Sequence, residues 1–398
     1  MAGELARLSA DPRVAVAAGH IGDHDEATIA TQIELSEIPA PPFHEAARGV
    51  RMAQLMRDAG ISAVETDEVG NVHGVWPGSE GDLAPDDGPL VVAAHLDTVF
   101  PAGTDVTVTR DGSKLRGPGI SDDARGLATL LATARSLGAA GLRSRRQLLF
   151  VATVGEEGVG DLRGVKHLFS DEGACRQASG FISLDGAGLK RIVVGGLGSR
   201  RFRITIHGPG GHSWVDWGTP NPIHALAAVG QRLATLPLPA DPVTTLTIAR
   251  CGGGKSINAI PQEAWLEIDT RSEEDDRLDW LEAEIEGVID ESRSIAADAL
   301  RLEVETIGRR PGGSTDPESG LVTAALAATR HVGGQAALAT SSTDANIPMS
   351  LGIPAVTLGC GGEAGKAHTT DEWYENDGGP EGVLRALYTI LLVAGVQE

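Results

Sequence analysis

The chain has 398 residues, more than one hydrophobic core comfortably holds, so two domains are expected. It is 41% hydrophobic but only 4% aromatic, as for a globular protein with an aliphatic core, and its net charge of −22 argues against nucleic acid and anionic membranes as partners. No run approaches the roughly 18 uninterrupted apolar residues of a membrane span. The opening MAGELARLSADPRVAVAAGH carries acids and lacks a compact apolar segment behind a basic start, unlike a secretory signal. Cys175, Cys251 and Cys360 are scattered and odd in number, neither a disulfide framework nor a CxxC zinc motif. A reducing, cytoplasmic setting is the simple expectation.

In chain order, HEAARGVRMAQLMRDAG (44–60) has helical apolar spacing at Met52, Leu55, Met56 and Ala59 and ends at a glycine. GSEGDLAPDDG (78–88) reads as a polar surface loop. PLVVAAHL, QLLFVATV, GFISLDG and, much later, GIPAVTLG are short apolar runs bounded by turns, with a helix candidate, 124–141, between the first two. Such alternation predicts a mostly parallel sheet covered by helices on both faces. The middle of the chain differs. SRRFRITIHG (199–208) alternates, with Phe202, Ile204 and Ile206 on one face and Arg201, Arg203 and Thr205 on the other. A helix at 221–236, strands at 244–250 and 264–272, a charged amphipathic helix at 273–295 and a strand at 301–308 follow. Strand, helix, strand, strand, helix, strand is the order of a ferredoxin-like split βαβ unit. The expected layout is therefore a larger α/β domain from 1–196 and 312–398, with a small α+β domain at 197–311 inserted in it.

Charges gather where the core strands end. PLVVAAHL delivers His95 and then Asp97; QLLFVATV delivers Glu156 and Glu157; GFISLDG delivers Asp185. In an open parallel sheet ligands bind beyond the carboxyl ends of the strands. GPGISDDARG (117–126) adds Asp122 and Asp123 in a tight turn before a helix, where an Asx turn or helix cap is the ordinary use of such a pair. So many carboxylates in one crevice repel each other unless cations neutralise them, and histidine with carboxylates suits zinc or a similar divalent ion. Two metals sharing a carboxylate would absorb this much charge. HTTDEW (368–373) offers the further histidine, His368. By contrast CGGGKS (251–256) only imitates a phosphate-binding loop: Ala249 stands where that loop needs glycine, and a proline follows where its helix should run.

These motifs, in this order, resemble the zinc-dependent amidohydrolase and exopeptidase family that includes aminoacylase, acetylornithine deacetylase, succinyl-diaminopimelate desuccinylase, glutamate carboxypeptidase and peptidase T. The likeness runs from EIPAPPFHEAARG (37–49) and VGNVHGVWPG (69–78) through AAHLDTVF (93–100), VGEEGVGDLRG, GPGGHSW (208–214), GGGKSINAIPQEAWLEIDTRS (252–272) and SSTDANIPMSLGIPAV (341–356) to AHTTDEW (367–373). It implies a catalytic domain with an inserted lid domain. It also implies two divalent metal ions, most simply Zn2+ with Co2+ or Mn2+ as alternatives, bridged by Asp122. His95 and Asp185 would complete the ligands of one and Glu157 and His368 those of the other. Asp97 would stand behind His95, and Glu156 would be the general base.

By the same resemblance, His212 of the GPGGHSW motif donates to the developing oxyanion, often across a homodimer formed through the lid. Asn258 and Arg271 would hold the substrate's carboxylate, for which a guanidinium fork is suited. A cis peptide bond is expected at Asp122–Asp123. One departure is Ala124, where the family often has lysine, with Arg125 next. The expected reaction is hydrolysis of an amide or peptide bond in a small carboxylate-bearing substrate. SSTDAN leans towards a di- or tripeptide over an N-acyl amino acid. A non-catalytic homologue should have lost the base or a ligand, and all six of those side chains are present.

Overall fold

The computed structural model describes residues 1–76, 88–295 and 299–397, so the 78–88 stretch lies, Gly88 apart, outside the described residues. The chain divides into two compact units, Met1–Gly196 with Ser314–Glu398, and Leu197–Gly313.

The sheet of the first unit runs, from one edge, Ser62–Thr66, Val72–Trp76, Leu148–Thr153, Leu90–His95, Gly180–Leu184, Ala355–Leu358 and Arg191–Gly196, with Ala337–Ser341 also paired to the last. The four strands from Leu148–Thr153 to Ala355–Leu358 run parallel to one another, so their carboxyl ends share one edge. The pairings that flank these four are antiparallel, whereas Ala337–Ser341 lies parallel to Arg191–Gly196. These four strands are buried along their whole length, which is why they read as continuous apolar runs without alternation. Successive residues face opposite layers. Val92, Ala94, Leu148 and Phe150 pack with the helices Ala124–Ala139, Gly320–His331 and Gly379–Ala394. Val91, Ala93, Leu149 and Val151 pack with Leu162, Val165 and Phe169 on the other face. Burial of each such large side chain stabilises the fold by about 1.5–3 kcal/mol, enough for the two faces to fix the sheet's register.

Three helices open the chain, Ala2–Ser9, Pro12–Asp23 and Asp25–Ser36, in addition to the elements expected from the sequence. Asp11 caps the second with Pro12 at its first position, and Val14, Ala17 and Ile21 join the core at helical spacing. Among the described residues, no helix is long and apolar enough to cross a membrane.

The second unit is a four-stranded antiparallel sheet in the order Thr244–Gly253, Glu263–Ser272, Gly198–His207, Arg301–Arg310. Its helices Pro222–Ala234 and Asp275–Ile295 cover one face. Phe202, Ile204 and Ile206 are buried there against Leu226, Val229, Leu281 and Ile285, so the apolar side of that strand belongs to the unit's own core. The opposite face carries ion pairs, Arg201 with Asp269 at 2.8 Å and Arg203 with Glu267 at 2.7 Å.

Candidate metal centre

The carboxyl edge of the parallel strands collects the charges. His95 is the last residue of its strand, Glu156 and Glu157 follow Thr153 after a turn, and Asp185 follows Leu184. Gly155, with φ of +67°, makes that turn in the left-handed region that glycine enters at little cost. His368 stands on a separate loop, also left-handed, with φ of +65°. Three sets of ligand atoms lie within 4.8 Å of one another: His95 with Asp122 and Asp185; Asp122 with Glu157 and His368; and His95 with Glu156 and Glu157.

Asp122 is common to the first two sets and turns one oxygen to each histidine. Its Oδ1 is 3.0 Å from His95 Nε2 and its Oδ2 is 3.1 Å from His368 Nε2. His368 Nε2 also lies 3.0 Å from Glu157 Oε1. His95 Nδ1 donates to the Asp97 carbonyl at 3.0 Å, which orients the ring and reserves Nε2 for the cluster. The carboxylate of Asp97 has another task. It is 3.8 Å from the ring and accepts the backbone N–H groups of Glu156 at 2.9 Å and Glu157 at 2.8 Å. One buried carboxylate thus aims both glutamates, which themselves are less than 10% exposed.

The two adjacent aspartates divide their work. The peptide bond between them is cis. Asp122 faces the cluster, whereas Asp123 caps the helix Ala124–Ala139 by accepting from Gly126 N at 3.0 Å and, through its other oxygen, accepts from His95 N at 3.0 Å. A side chain at Gly126 would collide with Asp123 and with the Leu184 carbonyl, so only glycine lets the cap close. Arg125 is buried and donates to the carbonyls of Cys360 and Gly379, so it supports the backbone and not the cluster.

Sequence reasoning missed Asp344 and Glu372. Asp344 is buried and accepts from Thr153 Oγ1 at 2.5 Å. Glu372 is fully buried and accepts from Gly119, Ser121 and Asp122. The adjacent Asp-Asp pair signalled a helix cap, which Asp123 supplies, but the partners of Asp344 and Glu372 lie nearly 200 or more residues away, out of reach of any local pattern.

The electrostatics show a site crowded with negative charge. Burial first, and then the charge of Asp122, pushes the Asp185 carboxyl up to about 7. Burial likewise raises Asp123 well above the ordinary range. Hydrogen bonds to Asp122 and Glu157 push the His368 imidazole up to about 10. Burial alone would lower His95, but the bond to Asp122 and the neighbouring aspartates outweigh it and raise the group. Burial alone would raise Asp122, but the two histidines hold it well below its usual value. Without metal, protons on carboxylates and imidazoles neutralise charge that cations otherwise would. Two histidines and two carboxylates around a shared Asp122 form a donor set that fits a pair of zinc-like divalent ions.

The remaining site candidates lie in the second unit. Gly211–His212 pairs with Ala259–Ile260, and Ser213 N donates to the Asn258 carbonyl at 3.1 Å, so the His212 and Asn258 loops are adjacent. His212 Nδ1 accepts from Trp214 N at 3.2 Å and Val215 N at 3.3 Å. A nitrogen that accepts carries no proton, so the ring's N–H is at Nε2. Arg271 is elsewhere. It pairs with Ser199 near the point where the chain enters the unit, and its Nε donates to Asp269 at 2.7 Å. From Glu263, beside the His212 loop, to Arg271 is eight steps along one strand, roughly 26 Å at the usual rise. The structure brings His212 and Asn258 together and keeps Arg271 apart from both.

With fold and cluster in view, residues 91–392 match the model of Peptidase family M20/M25/M40. The chain belongs to that family, and it is a metal-dependent hydrolase of amide or peptide bonds. It is 28% identical to succinyl-diaminopimelate desuccinylase of Corynebacterium glutamicum, over 85% of this chain and 89% of that one. It is 30% identical to a putative succinyl-diaminopimelate desuccinylase of Mycobacterium tuberculosis, over 71% of this chain and 77% of that one. Among solved structures, the aminopeptidase PepT of Bacillus cereus shares the fold with a TM-score of 0.72 and 23% identity, covering 93% of this chain and 98% of that one.

Proposed function

We propose that this protein uses two divalent metal ions, most simply zinc, to hydrolyse an amide bond in a small carboxylate-bearing substrate, a di- or tripeptide in the first reading. The observation that carries this is Asp122, whose two oxygens face two separate histidines, each with a further carboxylate beside it. In this reading His95, Asp122 and Asp185 hold one ion and Asp122, Glu157 and His368 the other. When bound, the ions supply Lewis acidity, polarising the scissile carbonyl and making water nucleophilic near neutral pH.

The chain's own groups do the rest. Glu156 is absent from both sets that contain Asp122, yet its carboxylate lies within 4.8 Å of ligand atoms of His95 and Glu157. That position favours a base that takes a proton from the attacking water and returns it to the leaving nitrogen. Asp97, by fixing the backbone of both glutamates, sets which one faces which task. His212 presents an Nε2–H suited to donate to the oxyanion as it develops. Arg271 grips the substrate's carboxylate, with Asn258 assisting.

An extended tripeptide spans about 10 Å. One such substrate cannot touch both ends of a strand roughly 26 Å apart, and that separation favours a homodimer in which His212 and Asn258 serve the partner's substrate while Arg271 serves its own. A second reading, an N-acyl-amino-acid hydrolase, is favoured by the two desuccinylases of 28% and 30% identity.

The test pairs metal analysis with hydrolysis of a panel of dipeptides, tripeptides and N-acyl amino acids, N-succinyl compounds included. The proposal expects about two ions per chain and turnover that Glu156→Ala abolishes while the ions stay bound. Turnover of N-acyl amino acids alone would select the second reading. Absence of metal uptake by the wild type would sink both.

A further inference from the structure

We infer that Glu372 is a positioning residue for the metal centre, a carboxylate that touches no ligand atom yet sets where the shared Asp122 can reach. The inference rests on the two-ion reading above. Glu372 lies four residues beyond His368 and is fully buried. Among the described residues no Lys or Arg pairs with this carboxylate, so its charge needs other donors, and it uses both oxygens. Its Oε2 accepts from Gly119 N at 2.9 Å, and its Oε1 accepts from Ser121 N at 2.8 Å, Ser121 Oγ at 2.6 Å and Asp122 N at 3.0 Å. Its backbone carbonyl accepts from Gly117 N at 3.0 Å. One residue therefore holds the tight turn that delivers Asp122 at four positions, from 250 or more residues away in the chain.

What this turn must do makes the clamp consequential. Most ligands need one atom in one place. Asp122 must put one oxygen within reach of the His95 side and the other within reach of the His368 side. A rotation of its backbone that improves one contact worsens the other, so the turn has little freedom to spare. Glu372 fixes the backbone N–H of Asp122 itself and of the residue before it, and it does so from the loop that also carries His368. The clamp thus ties a shared carboxylate to the histidine that must meet it. His95, Glu157 and Asp185, by contrast, sit at or just beyond strand ends in the rigid sheet. Loss of Glu372 should therefore weaken most the ion held by Asp122, Glu157 and His368.

The experiment is titration of the metal-free full-length protein with Co2+, followed by calorimetry and by visible absorption, for wild type and Glu372→Gln. Glutamine keeps the volume but offers one acceptor oxygen and turns an NH2 towards backbone donors. The expected result is roughly 10- to 100-fold weaker binding of the second ion and an altered cobalt band at full loading, with unchanged circular dichroism. Wild-type affinity for both ions together with a wild-type cobalt band would overturn the inference, whatever happens to the melting temperature, because a residue that only stabilised the fold would lower that temperature alone. If Glu372→Gln does not fold, Ser121→Ala decides: it removes one of the four donors, and the second ion should bind several-fold more weakly, whereas unchanged binding overturns the inference. If the wild type itself binds fewer than two ions, the two-ion reading fails and takes this inference with it.

Discussion

The metal centre and the His212 loop are built in opposite ways. At the centre, His95, Asp97, Glu156 and Glu157 are buried, and backbone bonds that aim them join strands and turns 28 to 60 residues apart. At the loop, His212 and Asn258 are exposed, Trp214 and Trp217 are 84% and 85% exposed, and the bonds holding the imidazole come from residues two and three positions on. The first arrangement is finished by the fold of its own unit. The second fixes the tautomer of an exposed imidazole, which in the proposed reading meets its partner only when substrate arrives. The difference teaches that contacts between remote segments mark the groups whose geometry the fold guarantees, the exposed His368 among them, while His212 is held only by its own loop and, in the proposed reading, waits for its partner.

That contrast can be broken at several points. The largest effect is expected at the base: Glu156→Gln should lower kcat by about 10²–10⁴-fold with both ions retained, read by steady-state kinetics beside metal analysis. Loss of metal in that variant would instead make Glu156 a ligand. His212→Ala should lower kcat by roughly 10²–10³-fold and leave metal content alone, as expected for a lost oxyanion donor. Mixing the inactive Glu156→Gln and His212→Ala proteins sharpens this further. If His212 acts across a dimer, random exchange of subunits restores about a quarter of wild-type activity, because half the dimers are mixed and one of their two sites is intact. No recovery after demonstrated exchange would place His212 in its own subunit's chemistry.

Asp97→Asn probes the buried side of the comparison. It leaves one acceptor for two backbone donors, so metal affinity should fall about 10- to 100-fold, measured by competition with a chelator. The smallest of the four effects is expected from Arg271→Ala, which should raise KM roughly tenfold for substrates with a free carboxylate and much less for their amides. An equal effect on both substrate forms would remove the carboxylate-gripping role.

The sequence alone determined which strands would be fully buried, because a strand covered on both faces must be apolar throughout and shows it. It determined that charges would gather at their carboxyl ends, since His95, Glu156, Glu157 and Asp185 each stand at or just beyond the end of such a run. The split βαβ pattern of the middle segment was equally legible in its alternation. Tertiary structure alone decided how the adjacent aspartates share their work, for either one fits a helix cap on local grounds. It decided that Asp97 serves the backbone of two glutamates more closely than the ring of His95, and that Phe202, Ile204 and Ile206 are sealed by their own helices. It also revealed Glu372, whose donors stand some 250 residues earlier in the chain. The physical reason is common to all of these. Periodicity and turn chemistry act over a few residues and are written in order along the chain. A hydrogen bond between remote segments depends on the fold that brings them together, and nothing local in the sequence has to mark it.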